Sequence, residues 1–168
     1  SCASALNDDL PDLIDDEALG AKLKKQVMMI EVFLANELSS GRIKVKLESA
    51  SPEILVHGHC HQKALYGTQD MMSLLRMTNA AVKEIPSGCC GMAGSFGYEK
   101  EHYDLSAKIG DSILFPAVRT MKEGSALVAC GVSCRHQIEH FTGVRAKHWV
   151  EVVRSKGVKE EGSKGGRE

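Results

Sequence analysis

The adjacent pair Cys89-Cys90, followed at once by Gly91, constrains this chain more than any other feature. Neighbouring side chains diverge along an extended backbone, so these two thiols do not readily close on one small tetrahedral ion. They can instead reach two metal atoms of one larger core. A glycine directly after them permits a tight backbone turn around such a core. The other cysteines are remote: 28 residues separate Cys60 from Cys89, and 38 separate Gly91 from Cys130, which Cys134 follows closely. Thiolates gathered from distant loops are the ligands that soft iron–sulfur cores select. The pattern points to an electron-carrying cluster.

Three other readings compete. The pair could be two small buried hydrophobes. It could be a vicinal disulfide or a thiol switch that cycles by gaining and losing two protons. Four thiolates would also satisfy zinc, although structural zinc sites usually carry two short knuckles, and only Cys130-Gly131-Val132-Ser133-Cys134 comes near one.

At 168 residues the chain is long enough for one domain with a sizeable core. A formal charge of -1 gives no reason to expect nucleic acid or an anionic membrane as partner. No run of residues is apolar enough to span a bilayer. The acidic start lacks the basic and apolar pattern of an export signal, and cysteines without export favour metal or free thiols over disulfides.

Apolar spacing predicts a helix from Glu17 to Leu38, stopped by Ser39-Ser40-Gly41. Ile43 to Leu47 alternates like a short edge strand. Short strands are expected at Glu53–His57, Ala81–Ile85 and Ala126–Ala129, the first and last of them buried. Helices are expected from Gln62 to Met77, Tyr103 to Lys122, Val132 to Phe141 and from Trp149. Strands alternating with helices imply an α/β fold with a small, mostly parallel sheet flanked by helices. In such sheets ligands sit beyond the strand carboxyl ends. Each strand expected in the sheet feeds cysteine: the first leads to Cys60, the second to Cys89 and Cys90, the third to Cys130 and Cys134. The cysteines should therefore gather at one pole.

His57, His59 and His61 surround Cys60 as ligands, as donors to sulfur, or simply as caps of a loop. His61 and His136 are the candidates to contact the cluster's periphery. The stretch Gly91 to Gly97 lacks the ending of a phosphate loop, so nucleotide binding is not indicated.

Three segments, His57-Gly-His-Cys60-His-Gln-Lys63, Ser87-Gly-Cys89-Cys90-Gly91-Met-Ala-Gly-Ser-Phe-Gly-Tyr98 and Gly131-Val-Ser-Cys134-Arg-His-Gln-Ile138, resemble the CCG-type cysteine-rich domain. That family includes the iron–sulfur subunits of glycolate oxidase and anaerobic glycerol-3-phosphate dehydrogenase, and the cysteine-rich subunit of heterodisulfide reductase. The likeness is nearest to the carboxyl-terminal part of fused FAD-linked oxidase/iron–sulfur proteins. It implies ligands Cys60, Cys89, Cys90 and Cys134, and a [4Fe-4S] cluster of cubane or non-cubane type. Zinc remains the alternative. The family's closing Cys-x-x-Cys is broken here, with Gly131 three before Cys134, so Cys130 stands only as an additional candidate.

The resemblance also implies a domain plan. Residues 1–50 would hold the end of a preceding repeat, closing at Cys2, and a linking helix. Residues 51–155 would be the cysteine-rich domain, and 156–168 a disordered tail. The implied role is electron transfer in an FAD-linked 2-hydroxy-acid dehydrogenase of glycolate or D-lactate type, as a component not catalytic alone. FAD would lie on another domain or subunit, and a quinone or other carrier would accept electrons. The expected place is the cytoplasm, at the inner membrane face through a partner. The rival is a zinc-holding or metal-free docking module.

Overall fold

The computed structural model describes residues 2–157. The chain starts helically, with α1 (Cys2–Ser4) passing through a π-helical stretch (Ala5–Asp9) into α2 (Leu10–Leu13). Two longer helices follow, α3 (Glu17–Gln26) and α4 (Ile30–Ser39). Asp16 caps α3, its carboxylate accepting the Leu19 N–H at 3.0 Å. The single helix expected over 17–38 is therefore two, because Val27 and Met29 are extended. The Asn7 amide explains the break. It donates to the Lys24 and Val27 carbonyls at 2.9 and 3.0 Å, occupying acceptors a continuous helix would use for its own N–H groups.

The next elements in order are β1 (Val45–Glu48), β2 (Glu53–His57), α5 (Cys60–Leu65), α6 (Gln69–Arg76) and β3 (Ala81–Glu84). After a long loop and a 3-10 turn (Phe96–Tyr98) come α7 (Tyr103–Asp111), α8 (Leu114–Arg119), β4 (Ala126–Ala129), α9 (Val132–Thr142), α10 (Trp149–Val152) and β5 (Arg154–Gly157). Gly67, at φ +75°, separates α5 from α6, where the spacing predicts one helix. Pro116 falls in the first turn of α8, where its missing N–H costs nothing, so the segment from Tyr103 splits into α7 and α8.

The main sheet is parallel, in the order β3-β2-β4. Ile54 of β2 lies opposite Val82 of β3 and Ala126 of β4. Lys147 extends the β4 edge by one parallel bridge, exchanging backbone hydrogen bonds with Ala129 and Leu127 at 2.9 and 2.8 Å. Alternate residues of each strand face opposite sides. Ile54, Val56, Ala126 and Val128 pack on Met71, Leu74 and Leu75 of α6, with Trp149 and Val152. Leu127 and Ala129 pack the other way, against Leu114, Phe115, Val118 and Ile138. Full burial of each such aliphatic side chain contributes about 1.5–3 kcal/mol. The fold is thus α/β, a small parallel sheet between helices, as the alternation implied.

Outside this sheet, β1 and β5 form an antiparallel ribbon, Val45 opposite Gly157 and Glu48 opposite Arg154. This corrects the expectation of disorder from residue 156. Lys156 and Gly157 belong to a strand because β1 offers a free edge, and Lys156 reaches Glu48 at 3.0 Å. The rest of the expected tail, 158–168, lies outside the described residues, as does Ser1. The second long helix of residues 1–50 packs against the helices beside the sheet: α4 lies on α6, and the Gln62 amide donates to buried Glu31 at 2.7 Å.

Candidate metal centre

The parallel arrangement sets the three strand ends side by side at one edge. β2 ends at His57, and after Gly58 and His59 the chain enters α5 at Cys60. β3 ends at Glu84, and Pro86-Ser87-Gly88 delivers Cys89 and Cys90. β4 ends at Ala129, with Cys130 next and Cys134 in the first turn of α9.

The buried heart of the site is His57, Cys90 and Cys134. One ligand atom from each lies within 4.8 Å of the other two. All three side chains are buried. His57 Nδ1 sits 2.7 Å from the hydroxyl of buried Ser87, while His57 Nε2 has no hydrogen-bond partner among the described residues. Gly131 lets α9 approach: a methyl there would land on the His59 ring and 3.1 Å from Cys134 Sγ. Cys90 and Cys134 shift each other in opposite directions. The Cys134 thiol, against the cost of burial, holds Cys90 well below the ordinary thiol range, and the Met92 N–H adds to this. Cys134 is pushed up by the same partner and by burial. The pair therefore gives up one proton readily and keeps the second.

Cys89 and Cys60 lie toward solvent. Cys89 Sγ accepts the Gly91 N–H at 3.3 Å. Burial nevertheless raises its thiol, with help from the thiols of Cys90 and Cys60. Cys60 is exposed. Cys60, Cys89 and Cys90 open on a cavity of about 780 Å³, shared with His59, His61 and residues of the first helical segment. Burial lowers the pKa of His59. Cys60, Cys89, Cys90, Cys130 and Cys134 are all free thiols.

The remaining expected residues are placed differently. Cys130 touches the cavity, but its sulfur turns to Met71 Sδ at 3.4 Å, and burial pushes its thiol up to about 11. His61 lines the cavity. His136 lines a second cavity, of about 380 Å³, with its Nδ1 3.1 Å from the Tyr98 hydroxyl. Gly91 has φ +100°, but its open side meets the Ser106 backbone of α7 rather than the thiols. His57 and Ser87 are central here, although the sequence offers His57 only as one of three histidines around Cys60 and marks Ser87 only as a flank of a cysteine segment. The one signal for His57 is the alternation of β2, which turns its side chain away from that of Val56. Lys63 carries no such signal; its ammonium donates to the Ser87 and Gly88 carbonyls at 2.6 and 3.3 Å, bracing the loop before Cys89.

The chain is similar to dehydrogenase sequences. It is 28% identical to one subunit of the anaerobic glycerol-3-phosphate dehydrogenase of Escherichia coli (strain K12), over 91% of this chain and 38% of that protein. It is 30% identical to D-2-hydroxyglutarate dehydrogenase of the same organism, over 73% of this chain and 12% of that protein. Against D-2-hydroxyglutarate dehydrogenase of Pseudomonas putida the figure is 37%, over 40% of this chain and 6% of the relative. The chain thus spans well under half the length of these relatives. No protein-family model and no solved structure matches it. No helix among the described residues is long and apolar enough to cross a membrane.

The donor set fits a soft metal or an iron–sulfur core. It consists of thiols and imidazoles, and the His57 nitrogen is buried without a partner, which is costly unless something binds it. It does not suit calcium or magnesium, which take oxygen ligands.

Proposed function

We propose that this chain is the electron-relaying part of a flavin-linked dehydrogenase, with Cys60, Cys89, Cys90 and Cys134 as thiolate ligands of an iron–sulfur cluster. One observation carries the reading: thiols from three strand ends meet around one cavity edge, with Cys90 and Cys134 buried together. The dehydrogenase relatives support the same class. A bound cluster supplies one-electron transfer between flavin and acceptor. The chain's own residues hold and insulate it. Cys90 and Cys134 provide the dry wall, and the Gly91 N–H donates to Cys89, a hydrogen bond that favours the thiolate. Cys60 and His61 form the solvent-facing side. FAD belongs on a partner domain or subunit. The substrate is a small hydroxylated acid or phosphate ester, and electrons leave to a quinone or other carrier on the cytoplasmic side.

The test is anaerobic reconstitution of the chain with ferrous iron and sulfide, followed by iron and sulfide analysis and electron paramagnetic resonance. Expected is a brown protein whose visible band bleaches on reduction. Cys90→Ser and Cys134→Ser should each abolish it. A colourless protein that takes zinc and no iron refutes the proposal.

A further inference from the structure

We infer that His57 is a nitrogen ligand of the group held by Cys90 and Cys134, so that the site is a mixed imidazole–thiolate centre. The inference rests on the proposed function above. Three independent features point to it. First, His57 is wholly buried, and its Nε2 has no hydrogen-bond partner among the described residues. Leaving such a nitrogen unpaired is costly, and a bond to a metal would remove that cost. Second, the spacing suits a bridging atom. Metal–thiolate and metal–imidazole bonds of about 2.3 and 2.1 Å, meeting at a tetrahedral angle, set nitrogen and sulfur about 3.6 Å apart. The His57, Cys90 and Cys134 ligand atoms lie within 4.8 Å of one another, and His57 Nε2 makes no hydrogen bond to either sulfur.

Third, the other ring nitrogen is already engaged. Ser87 Oγ, buried, lies 2.7 Å from Nδ1. We place the ring proton on Nδ1, donated to that oxygen, so that Nε2 keeps its lone pair for a metal. An oxygen partner on the remote ring nitrogen is the usual way a ligating histidine is oriented and its tautomer fixed. Lys63 holds the Ser87 carbonyl at 2.6 Å, so the orienting residue is itself anchored. An imidazole that joins the thiolates as a neutral ligand adds no negative charge to the site, and ligand charge is among the factors that set the reduction potential of an iron–sulfur centre.

The chain is grown with ¹⁵N-labelled histidine, reconstituted anaerobically with ferrous iron and sulfide, reduced, and measured by electron–nuclear double resonance. Expected is a strong ¹⁵N coupling of a directly bonded imidazole. It should be lost in His57→Gln and kept in His59→Gln and His61→Gln. Ser87→Ala should keep the coupling but release iron to a chelator about 10–100-fold faster, the penalty typical of losing an orienting partner. An iron-loaded protein without the coupling, or one whose coupling survives His57→Gln, overturns the inference and leaves the cluster reading standing. A wild-type chain that takes up no iron sinks the cluster reading, and this inference with it. Should His57→Gln not fold by circular dichroism, the paired result decides: coupling that survives both His59→Gln and His61→Gln supports His57, and coupling lost in either overturns it.

Discussion

Gly91 offers a way to separate folding from metal binding within the Cys-Cys-Gly stretch. The sequence suggests that this glycine lets backbone wrap an inorganic core; the structure shows its open side against the Ser106 carbonyl of α7. Gly91→Ala therefore carries two costs without any metal present. An alanine held at φ +100° costs about 1–2 kcal/mol in backbone strain. The new methyl also falls on the Ser106 backbone oxygen, well inside van der Waals contact, so α7 or the loop must shift. Overpacking of this kind costs about 1–3 kcal/mol. The sum, about 2–5 kcal/mol, corresponds to a fall in Tm of roughly 5–15 °C for a chain of this size. Gly94→Ala is the control. It has φ +71° and nothing within 4 Å of the added methyl, so only the strain remains. Thermal unfolding of both metal-free variants, followed by circular dichroism, measures the difference. Equal losses in the two variants, or a Gly91→Ala loss seen only after iron loading, would refute the packing argument.

Other consequences can be measured directly. Burial raises the Cys130 thiol to about 11, whereas an unfolded thiol titrates near 8.5. Its contribution is then fully present below about pH 8.5 and is lost as pH rises toward 11, by about 3 kcal/mol at most. The urea midpoint of the wild type should fall more steeply over that window than that of Cys130→Ala. Lys63→Met removes the cation on the Ser87 and Gly88 carbonyls, so amide exchange across residues 87–90 should speed up about tenfold, equivalent to about 1.4 kcal/mol. Gly131→Ala places a methyl on the His59 ring and beside Cys134 Sγ, so iron uptake should fall while far-ultraviolet circular dichroism stays unchanged. In the metal-free chain, alkylation followed by peptide mass analysis should label exposed Cys60 before buried Cys134.

Much of the sheet was legible because its signals are local. The strands at Glu53–His57 and Ala126–Ala129 are short apolar runs with sharp ends, and they form as read. What stayed hidden depends on partners remote in sequence. The break between α3 and α4 comes from Asn7, whose amide takes carbonyls 17 and 20 residues away. Strand β5 carries little β pattern of its own and forms because β1 presents an edge more than a hundred residues earlier. At the site, the gathering of cysteines followed from strand order alone, since a parallel sheet sends every strand end to one side. The orientation of His57 did not. Two histidines nearer to Cys60 compete with it on paper, and only burial on the inner side of β2 distinguishes it.

The adjacent cysteines end in unlike surroundings. Cys90 is buried against Cys134 and His57 at the inner wall of the cavity, and Cys89, less buried, lines the same cavity, with the Gly91 N–H on its sulfur. The alternation of side chains along an extended backbone produces this division directly. It gives any group held there one dry side and one wet side. The dry side excludes water from the buried thiols, where unpaired charge is expensive. On the wet side, Cys60 and Cys89 are the sulfurs a docking partner can approach, and exposure at sulfur is among the factors that set a cluster's potential. The more and the less buried thiol are thus divided between two residues joined by a single peptide bond.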